Sequence, residues 1–245
     1  FQQKLEGLSR IKVYLEDTDA AGLARLEAAV AELGLAMTCA PLPETNWEES
    51  WKDNYPAQEV GEKLVVLPYW LAGTEDNRIP VILDPGLTFG TGAHPSTQMV
   101  MEAMERLVKP GDRCLDLGSG SGILSITALR LGAHSAIGVD IDPKAEDIAR
   151  ENAGFNDFGP DRFDAVTGNV TEDHELMTKL SGRHYDLVFV NIVADVIIGL
   201  APVLGRFMDE NTKVICSGIL DVREQEVHQA LTAAGLVIER TGAKE

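Results

Sequence analysis

Two glycine-rich stretches lie about a helix's length apart in the chain: DPGLTFGTGAHPST at Asp84 to Thr97 and CLDLGSGSG at Cys114 to Gly122. Glycine frees the backbone and bares its amide groups at a cost in stability, so two such clusters mark a site rather than a core. Gly118, Gly120 and Gly122 follow the apolar strand residues Leu115 and Leu117 and open a helix near Ile123. That arrangement lets a nucleotide-like ligand approach the main chain closely. The spacing is G-x-G-x-G, with Ile123 where the dinucleotide fingerprint wants its third glycine, which counts against a nicotinamide enzyme. Asp140 ends the next strand, 22 positions after Gly118, where an acidic side chain can accept both ribose hydroxyls of an adenosine-containing cofactor. Asp142, just before Pro143, is placed to cap the following helix instead. Asn191 closes the apolar run LVFV at the strand where the sheet order should reverse, with its side chain toward the ligand crevice.

The elements that must position these residues follow from periodicity. Ile11, Val13 and Leu15 alternate with polar neighbours as in a half-buried strand, Leu23, Leu26, Val30 and Leu33 recur at helical spacing, and LAMTCAPL reads as a returning strand. This small β-α-β unit is too short to be stable alone. From Pro41 to Lys63 the composition turns polar, with Trp47 and Trp51 four apart on a short helix that would pin a linker by burying both indoles. LVVLPYW and IPVILD are strands leading to the first glycine-rich loop. Beyond Thr97, helices at Thr97 to Val108, Gly122 to Leu131 and Pro143 to Ala153 alternate with strands at RCLDLG, SAIGVDID, DAVTGN, YDLVFVNI and KVICSGI. LVIERTG is expected as a last strand. The alternation predicts an α/β fold with a doubly wound, mostly parallel sheet.

Composition narrows the function classes. The 245 residues are 44% hydrophobic, enough for one sizeable core and a smaller appended unit. No apolar run approaches the roughly 18 residues of a membrane span and no signal segment opens the chain, so the cytoplasm is the expected location and no membrane partner is expected. Cys39, Cys114 and Cys216 are too far apart for a zinc or disulfide framework and read as small hydrophobes. The 21 Lys plus Arg against 39 Asp plus Glu leave a net charge of -18, which disfavours nucleic acid as a direct partner. A basic protein partner suits this charge; solubility alone also accounts for it. The chain opens on Phe1 and stops directly after the last strand-like run, as a fragment would.

LDLGSGSG, VDID and VNIVAD together resemble the motifs of class I S-adenosylmethionine-dependent methyltransferases, a Rossmann-like fold. With DPGLTFGTGAHPST, GVDIDPKA, SGIL and the upstream NWEESWKDNYPAQEVGEKLVVLPYW, the chain from Asn46 onward closely resembles the ribosomal protein L-eleven methyltransferase family, PrmA. The resemblance implies methylation of lysine side chains and the terminal amine of one large-subunit ribosomal protein, with S-adenosyl-L-methionine as cofactor. It implies a ferredoxin-like substrate-recognition domain, here partial, at 1–43, a linker at 44–63 and a catalytic domain at 64–245 lacking its final strand. Matching motif positions make Thr97, Gly118, Asp140 and Asn191 cofactor-binding residues, with Gly120 and Phe89 beside them. Ala93 and Ser96 replace common threonines, Ser119 a cysteine and Val193 a leucine, all small changes.

On this reading the first loop is a lid in which Phe89 and Thr97 cover the methionine end of the cofactor, Phe89 by a cation–π contact worth about 1 kcal/mol or else as a core plug. Deprotonating a lysine of pKa about 10.4 costs about 4.6 kcal/mol at pH 7, and an apolar wall and a neighbouring sulfonium both reduce that cost. Asn191 is the catalytic candidate, its neutral amide oxygen orienting the amine without stabilising ammonium. His94 is the alternative base, set against a structural hydrogen bond before Pro95. A protein-lysine methyltransferase with another target, such as an electron-transfer flavoprotein, a nonenzymatic cofactor-binding module and a nicotinamide oxidoreductase stay open as other readings.

Overall fold

The structure is a computed structural model that describes residues 2–5, 8–15, 18–40, 55–74, 77–86 and 92–244. Trp47, Trp51 and Phe89, and with them the expected indole anchor and the tip of the lid, lie outside the described residues. The chain divides into two compact units, Phe1–Lys52 and Asp53–Glu245.

In the first unit β1 (Gln2–Leu5) and β2 (Leu8–Ile11) form an antiparallel hairpin with Gln2 opposite Ile11. Helix α1 (Ala20–Glu32) follows, capped by Asp19, whose carboxylate accepts the Gly22 N–H at 2.8 Å. The alternation at Ile11 to Leu15 predicts a strand, but only Ile11 belongs to one; residues 12–15 join no ladder and Val13, Tyr14 and Leu15 are exposed. Residues 35–40 of the expected returning strand likewise form no ladder. A strand pattern is realised only where a neighbouring strand supplies hydrogen bonds and a covered face, and β1 and β2 spend theirs on each other. The expected β-α-β unit is, among the described residues, a hairpin followed by a helix.

The second unit opens with a three-stranded sheet of β3 (Gln58–Val60), β4 (Leu64–Pro68) and β5 (Ile79–Leu83), antiparallel between the first pair and parallel between the second. β3 falls within the stretch 44–63 read as linker. Helix α2 (Pro95–Leu107) then leads into alternating elements: β6 (Arg113–Leu117), α3 (Ile123–Arg130), β7 (Ser135–Asp140), α4 (Pro143–Phe155), β8 (Phe163–Thr167), α5 (His174–Ser181), β9 (Leu187–Asn191), α6 (Ala194–Leu204), β10 (Lys213–Ser217) and α7 (Glu224–Ala233). The five later strands form a parallel sheet in the order β10-β9-β6-β7-β8. The chain winds outward from β6 to β8 and then returns to β9 on the other side, so the order reverses between β6 and β9. The doubly wound parallel sheet is as the alternation predicts.

Both faces of this sheet are covered, which accounts for the near-continuous apolar strands. Leu187 and Phe189 join one core with Met101, Met104, Ile126 and Phe163, whereas Val188 and Val190 join the other with Leu117, Ile197, Leu204 and Phe207. LVIERTG does not pair as a strand: Leu236 and Ile238 pack on the second core and Val237 is exposed, so the predicted alternation of faces is present without a ladder. Among the described residues β10 is hydrogen-bonded to β9 alone.

Side chains join the small sheet to the large layer along the outer edge of β5. Arg130 Nε donates to the Pro80 carbonyl at 2.7 Å. Asn156 accepts the Ile82 N–H at 3.0 Å and donates to the Ile82 carbonyl at 2.7 Å, pairing with β5 as a neighbouring strand would. On the β3–β4 turn, the Glu105 carboxylate of α2 accepts the N–H groups of Glu62, Lys63 and Leu64 at 3.0, 2.8 and 3.2 Å. Gly61 holds this turn at φ +57°, and a Cβ there would lie 2.6 Å from Glu105 Oε1. Replacing Glu105 by Ala leaves three turn amides without their charged acceptor and is expected to destabilise the protein by about 1–2 kcal/mol, measured by urea unfolding.

Candidate functional site

The crevice outside the carboxyl ends of β6 and β9 is where an open parallel sheet binds ligands. Three segments meet there. β6 runs into Gly118, Gly120 and Gly122, all at positive φ, and Gly122 begins α3. The glycines are required: a Cβ on Gly118 would lie 2.5 Å from Ile192 Cγ2, and one on Gly122 3.0 Å from Ala149 Cβ. Gly118 and Ser119 donate their N–H groups to the Val139 carbonyl, which fixes the start of the turn.

Asp140, at the end of β7, accepts the Gly120 N–H at 2.8 Å and the Asp142 N–H at 3.0 Å, one on each carboxylate oxygen. Each oxygen retains an acceptor direction, so the carboxylate can still take two hydroxyl donors. Asp142 caps α4 by accepting the Lys144 N–H at 3.0 Å. Ile141 between them is exposed, an apolar side chain beside the acceptor pair.

Asn191, at the end of β9, donates through Nδ2 to Thr97 Oγ1 at 3.1 Å, joining residues 94 positions apart. Thr97 is buried in the first turn of α2. With Nδ2 committed, Asn191 Oδ1 is buried and accepts nothing, an orphaned acceptor of the kind a folded protein retains when something else fills it. Ser217 Oγ donates to the Ser96 carbonyl at 3.1 Å and holds the start of α2 over the crevice. His94 caps that helix, its Nδ1 accepting the Ser96 N–H at 3.2 Å with Ser96 Oγ 2.8 Å away.

Thr97 and Asn191 are thus in contact, as are Gly120 and Asp140, and Gly118 begins the turn between the two pairs. Phe89 lies outside the described residues. Sequence reasoning missed two further groups. Asn152 of α4 is fully buried; it accepts the Asp84 N–H at 2.8 Å and donates to the Ser121 carbonyl at 2.9 Å, so it ties the first glycine-rich segment to the second. The signal was ENAGFN, two asparagines a helical turn apart on a helix whose buried face otherwise carries Ala145, Ala149 and Ala153.

The other is Asp116 in β6, whose Oδ2 accepts both the N–H and the hydroxyl of Ser125 at 3.2 and 2.9 Å while Oδ1 is buried without a partner. Burial pushes its carboxyl up to about 7, against the Ser125 hydrogen bonds that hold it down, and the charge of Asp140 adds to the rise. The folded protein then keeps a proton that the unfolded chain releases near pH 4, so this group's contribution to stability falls as pH rises from about 4 to about 7. Denaturant titrations at pH 5 and pH 8 are expected to show wild type losing stability relative to Asp116→Asn at the higher pH.

A glycine turn, a carboxylate with an acceptor direction left on each oxygen and a neutral amide oxygen without a donor thus meet at the sheet's reversal. Fold and crevice together are those of the class I methyltransferases. The model of the ribosomal protein L11 methyltransferase (PrmA) family matches residues 2–245, and the chain belongs to that family. It is 38% identical over 221 residues to the ribosomal protein L11 methyltransferase of Chloroflexus aurantiacus, covering 80% of this chain and 65% of the relative. Its identity to the same-named protein of Desulfosudis oleivorans is 39% over 209 residues, covering 82% and 65%. The chain therefore spans about two thirds of the length of these relatives. The crystal structure of a ribosomal protein L11 methylase from Lactobacillus delbrueckii subsp. bulgaricus superposes with a TM-score of 0.67 at 30% identity, over 77% of this chain and 94% of that one.

Among the described residues no group of side chains is arranged to hold a metal ion, and no helix is long and apolar enough to cross a membrane.

Proposed function

We propose that this chain binds S-adenosyl-L-methionine and methylates lysine and terminal amino groups of ribosomal protein L11. The observation that carries the reading is the buried, unpartnered Asn191 Oδ1 beside Thr97, one strand from a glycine turn whose Asp140 keeps two acceptor directions. Family membership supports the choice of reaction and substrate. On this reading residues 64–245 are the catalytic part and 1–43 part of a substrate-recognition domain, and the protein works in the cytoplasm.

In this arrangement Asp140 would hold the ribose hydroxyls, and the Gly118–Gly120 turn, its own amides engaged by the Val139 carbonyl and the Asp140 carboxylate, would let the nucleoside lie close against the main chain. Thr97 would hold the methionine end, and Phe89 is the further residue proposed to cover it. The cofactor supplies an electrophilic methyl on sulfur. What the chain must do is deliver an amine with its lone pair in line, which is a matter of orientation and of keeping the nitrogen neutral. Asn191 Oδ1 accepts one amine N–H, and being neutral it steers the nitrogen without the electrostatic hold on ammonium that a carboxylate would exert. Its own orientation is set by the bond to Thr97. His94 caps α2 with its ring nitrogen, so proton removal is assigned to solvent as the amine enters.

Incubation with methyl-labelled cofactor and purified ribosomal protein L11, followed by mass spectrometry, tests the assignment; binding of cofactor with no mass gain on L11 sinks it. Replacing Asn191 by Ala is expected to lower turnover by about 100-fold, since an unoriented amine loses most of the advantage of its placement. His94→Asn preserves a capping side chain and is expected to keep near-normal turnover at pH 7 and pH 9. A selective loss at pH 7 in that variant would return His94 to the role of base.

A further inference from the structure

At the rim of the same crevice, the turns after β9 and β10 are locked side by side. The Ile192 N–H donates to the Ser217 carbonyl at 3.1 Å, and Gly218 lies so close that a Cβ there would fall 2.6 Å from the Ile192 oxygen. Arg223 clamps the next residues, its Nη2 2.6 Å from Asp195 of α6 and 2.9 Å from Glu226 of α7. From these turns and the helical turns that follow them four large aliphatic side chains face solvent: Val193 at 63% and, within α6, Val196 at 47%, with Leu220 at 72% and Val222 at 84% after β10. Scattered aliphatic residues on a surface are ordinary, but four on two hydrogen-bonded segments, with charged neighbours in both, are suited to binding a protein. The rim is acidic: Asp195, Asp221, Glu224 and Glu226 stand against the single guanidinium of Arg223, which two of them already engage. Val193 is two residues from Asn191, so whatever seats on the patch lies next to the reacting amine.

We infer that this patch seats the segment of the methyl-acceptor protein that flanks the target amine, a segment with an aliphatic side chain bordered by lysine or arginine. The inference rests on the proposed role of Asn191 and adds the specificity element: aliphatic contact fixes register, and the carboxylates around it attract a cationic strand. The chain's net charge of -18 gives the long-range field the same sign as this rim.

The test is the double variant L220S/V222S, both positions being too exposed to carry the fold. Its KM for purified ribosomal protein L11 is expected to rise about tenfold, with S-adenosylhomocysteine affinity by calorimetry and melting temperature unchanged. Asp221→Asn with Glu224→Gln is expected to flatten the dependence of KM on salt. A KM within twofold of wild type in the double variant overturns the inference while leaving the methyltransferase assignment intact. A wild-type chain that binds cofactor but neither binds nor methylates L11 overturns both. Val222→Cys labelled by a thiol reagent, with the modified peptide identified by mass spectrometry, addresses other occupants. Rapid labelling slowed by L11 supports the inference, and slow labelling of the protein alone shows the patch covered by its own chain or a second copy and overturns it.

Discussion

Two hydrogen bonds from one buried amide hold the candidate site together. Asn152 accepts from Asp84, where the first glycine-rich segment begins, and donates to Ser121 inside the second. Glycine-rich segments lose more conformational entropy on folding than others, so holding two of them in place needs specific contacts. A side chain that uses both its donor and its acceptor, one on each loop, lowers that entropy for the pair at once. Because Asn152 is fully buried, the bond to Ser121 is shielded from water, and loss of the amide would leave that buried carbonyl and the part-buried Asp84 N–H without this partner. The closeness of two glycine-rich segments in the sequence is thus matched by a third segment, α4, that bonds to Asp84 of one and Ser121 of the other.

The parallel sheet supplies the rest of the geometry. Its reversal between β6 and β9 opens a crevice with the glycine turn on one wall and the Thr97–Asn191 pair on the other. The charge arrangement is graded: Asp116 beneath the glycine turn is held toward its neutral form by burial, Asp140 at the rim keeps an acceptor direction on each oxygen, and Asn191 carries an uncharged acceptor. On the proposed function, three oxygen acceptors of different character separate the tasks of shaping the turn, gripping a sugar and orienting an amine.

Much of this was legible in the residues because it depends on local chemistry. The strand-turn-helix about LDLGSGSG, Asp140 closing the next strand and Asp142 capping α4 are all encoded within a few positions. What was not legible depends on partners far along the chain. The alternation in IKVYL and LVIERTG is real, and Leu236 and Ile238 do face the core, but a ladder needs an adjacent strand and none of the described ones adjoins them. Asn152 reads locally as an unremarkable helix residue; only the fold brings Asp84 and Ser121 to its two ends. Asp116 reads as one letter of a glycine motif, and its burial emerges only once α3 lies over it.

The side chains along β5 have an effect beyond joining two layers. An unpaired strand margin is a template on which another polypeptide can add, and it is the usual starting point for cross-β association. On β5 that margin is already occupied: Pro80 has no hydrogen to offer and its oxygen is taken by Arg130, Ile82 is satisfied in both directions by Asn156, and the Asp84 hydrogen goes to Asn152. Three side chains from two helices thereby act as a seal, and an apolar strand that would otherwise recruit its own kind is made inert to oligomeric sheet growth.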